Sequence, residues 1–152
     1  MATGGWVFKS EPDCYSFDDL LKEGKSEWEG VRNYASRNRM MSMKKGDRVF
    51  FYHSSCAVPA IVGTCEVIEQ SHPDETQFDP QSEYFDPKAT RENPRWFLVT
   101  IKPIKKFKKP VSLSALRQTP GLENLIVAKR GNRWSITPVT QQEWEIIESL
   151  AE

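Results

Sequence analysis

Asp47-Arg48-Val49-Phe50-Phe51-Tyr52-His53 and, after a break containing Ser and Pro, Ala60-Ile61-Val62-Gly63-Thr64-Cys65-Glu66-Val67-Ile68 read as two consecutive β-strands. Both are dense in β-branched and aromatic residues, which suit a pleated, half-buried surface. Upstream, Trp6-Val7-Phe8 is a shorter strand that gives way to Lys9-Ser10-Glu11-Pro12, where proline removes a ladder donor. Downstream, strand character returns at Arg95-Trp96-Phe97-Leu98-Val99-Thr100-Ile101-Lys102 and fades toward Phe107.

Short helices fall between the strands. Ser16 caps one, with Asp18 and Asp19 in its first turn, Leu20 and Leu21 as its apolar side and Gly24 as its stop. The second half of residues 32–43 reads as another, expected to end at Lys44-Lys45-Gly46 with glycine as C-cap. Ser112 heads a brief helix, and Thr140-Gln141-Gln142-Glu143 is a capping box opening a last one. On that last helix Trp144, Ile147 and Leu150 share a face. Ile126-Val127 and Trp134-Ser135-Ile136 flank Lys129-Arg130-Gly131-Asn132-Arg133, whose Gly-Asn pair suits a turn. Residues 71–94, with four prolines, form a long loop anchored by Phe78, Tyr84 and Phe85. βαβ alternation is absent, so the expected class is α+β, a mixed sheet or small barrel with helices at its edges. Phe8, Phe50, Val62, Trp96, Val99 and Ile136 are assigned to its core.

The 152 residues carry no internal repeat or linker and read as a single domain, 1–152. Formal net charge is zero, which argues against indiscriminate binding of polyanions. The charge is segregated, however. Residues 32–48 hold six basic side chains against Asp47, and residues 102–109 hold five lysines and no acid. Residues 74–92 hold six acids against Lys88 and Arg91. A basic face for phosphates is one reading and solvated surface the other. Cys14, Cys56 and Cys65 are odd in number and widely spaced, so neither a disulfide framework nor a zinc site is indicated. No apolar run is long enough for a membrane helix, and the N-terminus has no signal-peptide pattern. The expected location is cytoplasmic, with nucleoid association in a bacterium or a nuclear site in a eukaryote. No coiled-coil seam is legible, and a monomer is expected.

GxSxG, Walker, HExxH and dinucleotide motifs are all missing, and no cofactor or metal is expected. His53 beside Ser54, Ser55 and Cys56 does not make a catalytic pair, because strand neighbours face opposite ways. Glu11 and Asp13 read as loop acids. The richer cluster is Trp28-Glu29-Gly30-Val31-Arg32-Asn33-Tyr34-Ala35-Ser36-Arg37-Asn38, with two rings, two guanidinium groups and two amides. Rings stack on base faces, amides bond base edges, and arginines hold phosphates. Gly30 beside the tryptophan leaves room for a ligand. The competing reading makes Trp28 and Tyr34 core and the arginines solvated.

Several segments in order resemble the EVE domain family: Trp6-x-Phe8-Lys9-Ser10-Glu11-Pro12, Trp28-x-Gly30-Val31-Arg32-Asn33-Tyr34, and Phe50-Phe51-Tyr52-His53-Ser54. Pro73-Asp74-x-Thr76-x-Phe78-Asp79, Tyr84-x-Asp86-Pro87, Pro94-Arg95-Trp96 and Gly131-Asn132-Arg133-x-Ser135-Ile136-x-Pro138 continue the match. At Ala35 and Trp134 other members often carry glutamine and leucine. The resemblance implies a PUA-like fold, a mixed, mostly antiparallel β-barrel with short peripheral helices. It also implies recognition of modified bases, particularly modified cytosine in DNA.

Together these readings predict a non-catalytic module that receives a flipped base. Lys9, Ser10, Trp28, Asn33, Tyr34, Tyr52, His53 and Ser54 are its candidate base pocket. Arg32, Arg37, Lys129, Arg130 and Arg133 are its candidate phosphate contacts. The partner class is nucleic acid, modified DNA ahead of RNA, with no membrane. The alternatives are an RNA-binding PUA-like module, or a small-ligand or nucleoside protein or enzyme using the same pocket.

Overall fold

The computed structural model describes residues 4–152. Strands β1 (Gly5–Ser10), β2 (Ser26–Glu27), β3 (Arg48–His53), β4 (Ala60–Pro73), β5 (Phe97–Ser112) and β6 (Ile136–Val139) form one sheet. Their order is β2-β5-β4-β3-β1-β6, antiparallel except for the parallel β1–β3 pair. The expected α+β, mostly antiparallel class is what forms. The ladder itself stays open, with β2 and β6 at its edges instead of a closed barrel. Two residues in β2 and four in β6 give those edges little backbone with which to pair.

Strands β4 and β5 outrun their sequence expectation because they pair with each other through four register shifts. Gly63 sits at one of them. A Cβ there would lie 2.6 Å from both the Lys105 carbonyl oxygen and the Phe17 ring, so the close approach requires glycine.

Alternation in β1 and β3 divides the apolar residues between the two faces of the sheet. Trp6, Phe8, Val49 and Phe51 face α1 (Phe17–Glu23) and α2 (Tyr34–Ser42), meeting Phe17, Leu20, Met40 and Met43. Val7, Phe50 and Tyr52 face α3 (Leu113–Gln118) and α4 (Gln141–Leu150), meeting Leu116, Trp144 and Ile147. Phe50 stacks on Trp144 at 3.7 Å between ring centroids. All six residues assigned to the core are buried.

The helix ends show where local signals were sufficient. Helix α1 has Ser16 and Asp19 in a capping box and Gly24 in the left-handed region as its C-cap, although Leu21 is exposed. Helix α4 has the Thr140–Glu143 capping box, with Trp144 and Ile147 buried and Leu150 exposed. Helix α2 departs from expectation. It begins at Tyr34, capped by the Asn33 side chain, and Met43 is its C-cap. Gly46 instead serves the turn into β3, donating its N–H to the Val67 carbonyl. Among the described residues no helix is long and apolar enough to cross a membrane.

Replacing Thr140 with Ala removes one half of the α4 capping box and is expected to cost about 1 kcal/mol. At this chain length that lowers the melting temperature by roughly 2–4 °C, which differential scanning calorimetry would read. An unchanged midpoint would show that packing alone holds α4.

Candidate functional site

A cleft of about 880 Å³ opens where β1 ends, within the range of roughly 300–1,000 Å³ usual for ligand sites. Lys9 and Ser10 come from the end of β1, Tyr15 from the loop before α1, and Trp28 to Arg32 from the segment after β2. Tyr84 reaches in from the long loop and Ser135 from the residue before β6. Lys9 and Ser135 are tied by a 2.9 Å backbone hydrogen bond.

Trp28 is the cleft's aromatic wall. Its N–H donates to the Val99 carbonyl at 2.9 Å, and its half-buried ring rests on the core. Phe8, Tyr15 and Phe51 surround it at centroid distances of 5.2, 6.2 and 5.6 Å, all tilted or edge-on. Such packing fixes the plane of the ring before any ligand arrives.

The segment after Trp28 is held by one carboxylate. Asp74 is 1% exposed and accepts from the Gly30 N–H at 2.8 Å, the Thr76 N–H at 2.9 Å and the Thr76 hydroxyl at 2.5 Å. Arg32 completes the set with an ion pair at 3.2 Å. Burial alone would raise the Asp74 carboxyl, but the bonds from Thr76, Gly30 and Arg32 outweigh it and hold it below the ordinary value. Arg32 also donates to the Val31 and Tyr84 carbonyls and the Thr76 hydroxyl. All five of its N–H groups are thereby engaged. Gly30 has φ +84°, and a Cβ there would lie 2.6 Å from the Tyr84 ring. The space beside Trp28 is thus filled by Tyr84, and the glycine serves that contact.

Outside the cleft a ladder of rings and guanidinium groups continues the rim. Tyr34 stacks on Trp96 at 4.9 Å, with Arg37 4.6 Å over Tyr34 and Arg32 5.4 Å over Trp96. Arg95 hydrogen-bonds the Tyr34 hydroxyl, and the Trp96 indole donates to Asp86 at 2.7 Å.

The cleft itself is acidic. Four glutamates (Glu11, Glu23, Glu27, Glu29) line it against Lys9, Lys25 and the fully engaged Arg32. Burial lowers the Lys9 ammonium, which has no hydrogen-bond or ion partner among the described residues. Partial burial raises Glu29, and the charges of Asp74 and Glu27 add to the effect. Burial and the hydrogen bond to Glu23 push the Tyr15 phenol up to about 12. Desolvation and the neighbouring Glu11 raise the Cys14 thiol. An aromatic wall, acceptor-rich edges and the unpaired ammonium groups of Lys9 and Lys25 suit a flat ring bearing amino and carbonyl groups. Among the described residues no group of three His, Cys, Asp or Glu is placed to hold a metal ion.

Of the candidate base-pocket residues, the fold brings Lys9, Ser10 and Trp28 together; the others lie elsewhere. Asn33 uses its side chain to cap α2, accepting from the Ser36 N–H at 2.9 Å. Tyr34, 46% exposed, stands on the outer ladder because α2 turns the chain away after Arg32. Tyr52 is 3% exposed within the opposite core, as strand alternation next to Phe51 demands. His53 accepts the Phe17 N–H at 3.1 Å, a tertiary cap on the first turn of α1. Ser54 meets the end of β1 through its backbone, donating to the Ser10 carbonyl.

Of the phosphate candidates, Arg32 has no donor left and belongs to the scaffold. Arg37 bonds Asn38 and the Arg95 carbonyl beside the ladder. Lys129, Arg130 and Arg133 are exposed on a loop that leads into Ser135 and the cleft wall. Sequence reasoning missed Tyr15, Glu29, Tyr84, Ser135 and Asp74 as cleft-forming residues. Asp74 carried a signal, since Asp-x-Thr matches the local bond it makes to the Thr76 N–H, but its burial had none.

A mostly antiparallel sheet with short helices and an aromatic-walled cleft at a strand end defines a PUA-like binding domain. The chain belongs to the EVE family, whose domain model matches residues 5–150. It is 35% identical to human thymocyte nuclear protein 1 over 166 residues, 97% of this chain and 73% of that protein. A crystal structure of a Pseudomonas syringae protein superposes with TM-score 0.92 at 43% identity, covering 97% of this chain and 99% of the other. The crystal structure of human THYN1 protein in complex with 5-methylcytosine-containing DNA superposes with TM-score 0.90 at 34% identity, covering 97% of each chain.

Asp74→Asn leaves Arg32 without its counter-charge and is expected to cost about 3 kcal/mol, a drop of roughly 6–12 °C in melting temperature. Thermal unfolding followed by circular dichroism measures it, and a loss under 2 °C would remove Asp74 from the centre of the site.

Burial lowers the His53 imidazole; the charge of Asp18 opposes this and that of Lys106 adds to it. The neutral ring is the form that accepts from Phe17, so the folded state resists its protonation. Stability is therefore full above the ordinary histidine value of about 6.5 and is lost as pH falls through the lowered folded value. His72 acts with the opposite sign. Burial lowers it, but its contacts with the Gln70 carbonyl and Glu27 prevail and raise it. The difference in melting temperature between wild type and His53→Gln cancels that contribution. It is expected to shrink between about pH 7.5 and pH 5, and a constant difference would show that His53 is no acceptor.

Proposed function

We propose that the cleft receives a base flipped out of DNA, that this base is a modified cytosine, and that it is bound without chemical change. The observation that carries this reading is the Trp28 ring, packed against three aromatic neighbours, lining one acceptor-rich cleft together with the unpaired Lys9. Stacking a base on such a wall returns roughly 1–3 kcal/mol, comparable with the few kcal/mol needed to unstack it. The exocyclic amine of cytosine needs an acceptor, and Glu29 and Glu11 are at hand. Lys9 is suited to the ring carbonyl. The same acidity disfavours drawing a phosphate into the cleft, so the backbone would follow the basic rim at Arg37 and residues 129–133. Membership of a family whose human relative has been crystallised with 5-methylcytosine-containing DNA supports the choice of base.

A binding role fits the titrating groups better than catalysis does. Two potential nucleophiles of the cleft, Tyr15 and Cys14, are driven toward their neutral, less reactive forms. His53 lies outside the cleft, and its ring nitrogen is committed to capping α1.

Fluorescence anisotropy with short duplexes containing one 5-methylcytosine, matched unmodified duplexes and matched RNA tests the reading at fixed salt. About tenfold tighter binding to the modified DNA is expected, equivalent to about 1.4 kcal/mol. Trp28→Ala should abolish that preference. Lys9→Met, which leaves the core untouched, should reduce it while keeping the melting temperature. Equal affinity for modified and unmodified DNA would sink the proposal, and tighter binding of the RNA would redirect it.

A further inference from the structure

The loop at residues 129–134 carries a feature that the cleft does not use. Trp134 is 40% exposed, although a tryptophan at the surface forgoes much of the gain from burial. It is not loose. The Arg39 guanidinium lies 4.4 Å over the indole while donating to the Ile136 carbonyl at 2.8 Å, so one face of the ring is braced from α2. On the loop side, the Trp134 N–H donates to the Asn132 side chain at 3.3 Å, and the Asn132 N–H closes a turn onto the Lys129 carbonyl at 3.2 Å. Gly131, with φ +79° and open space where a Cβ would point, lets that turn form.

Beside the ring is a second hollow of about 380 Å³, lined by Ile126 together with Lys129, Arg130 and Arg133. The three cations have no hydrogen-bond or ion partner among the described residues, and residues 129–134 contain no acid. Three unpaired cations around an exposed ring would lose their water without compensation against an apolar protein surface, and they complement a phosphate backbone with bases attached. The loop that carries this hollow runs directly into the cleft wall: the next residue, Ser135, lines the cleft and accepts the Lys9 N–H.

We propose that residues 129–134 form a second stacking subsite, in which Trp134 takes the face of the base adjacent to the flipped nucleotide. Lys129, Arg130 and Arg133 hold the flanking phosphates. The inference rests on the DNA-binding reading of the cleft and adds a contact that reads no modification. Extrusion of one base exposes the face of its neighbour, and a braced indole at the rim replaces the lost stacking partner. Arg39 and Trp134 therefore act on DNA as a unit, the arginine holding the ring at its angle.

The test uses Trp134→Ala and Trp134→Phe with the same 5-methylcytosine and unmodified duplexes, and 2-aminopurine beside the modified base as a stacking reporter. Trp134→Ala is expected to weaken both duplexes about tenfold or more, leaving their affinity ratio intact and raising 2-aminopurine fluorescence in the complex relative to wild type. Trp134→Phe, which keeps a ring, should stay within about threefold of wild type. Arg130→Ala with Arg133→Ala should flatten the salt dependence of binding, whereas Trp134→Ala should not. Trp134→Ala within twofold of wild type on both duplexes, with the 5-methylcytosine preference intact, overturns this subsite and leaves the cleft reading standing. Loss of affinity in Trp134→Ala while wild type shows no preference for 5-methylcytosine supports the subsite and removes the cleft reading. Melting temperatures within about 3 °C of wild type exclude unfolding as the cause.

Discussion

The cleft depends on the buried carboxylate of Asp74. It gathers a backbone N–H from one segment, a guanidinium from the same segment, and a hydroxyl and N–H from its own loop. A carboxylate that loses water must recover those bonds from protein, and here the donors come from Gly30, Arg32 and Thr76. Satisfying one charge thus clamps the chain after Trp28 against the start of the long loop. Tyr84 is then drawn over Gly30, and its carbonyl receives the Arg32 fork. The tryptophan wall is held in position because its own N–H is bonded to the Val99 carbonyl and the chain after it is anchored to Asp74.

The second organising feature is the separation of signs. The chain as a whole is neutral, yet the cleft is lined by more carboxylates than free cations and the rim by the reverse. A site arranged this way attracts a polyanion to its margin and presents hydrogen-bond acceptors where a base would enter. Phosphate attraction and base reading are then carried by different residues, and the two can be weakened independently. Arginine in this protein divides along the same line. Arg32 and Arg39 are consumed by bonds and ring contacts that hold aromatic side chains in place, while Arg130 and Arg133 remain available to a partner.

Much of the secondary structure was legible because its signals are local. The capping boxes at Ser16 and Thr140 involve residues three apart, and Gly24 stops α1 by its own backbone freedom. The β-branched and aromatic runs of β3 and β4 needed no distant information to be read as strands. The errors have an equally specific origin. Asn33 looked like a base-reading amide, but an amide at that position also caps a helix, and the helix won. Tyr52 and His53 cannot share one pocket, because adjacent strand residues face opposite sides, and the structure separates them accordingly.

What the sequence alone determined is therefore the main strands, the capped starts of the helices, and the burial of the six apolar residues assigned to the core. What only the tertiary structure decided is which polar side chains remain free. Arg32 and Arg130 are indistinguishable as residues; one has five satisfied donors and the other none, because Asp74, Thr76 and Tyr84 lie more than forty positions from the first. Whether the ladder closes was settled the same way, by how far the short edge strands reach once β4 and β5 have bulged. Hydrogen-bond satisfaction and edge pairing are sums over neighbours distant in sequence, and no local pattern encodes them.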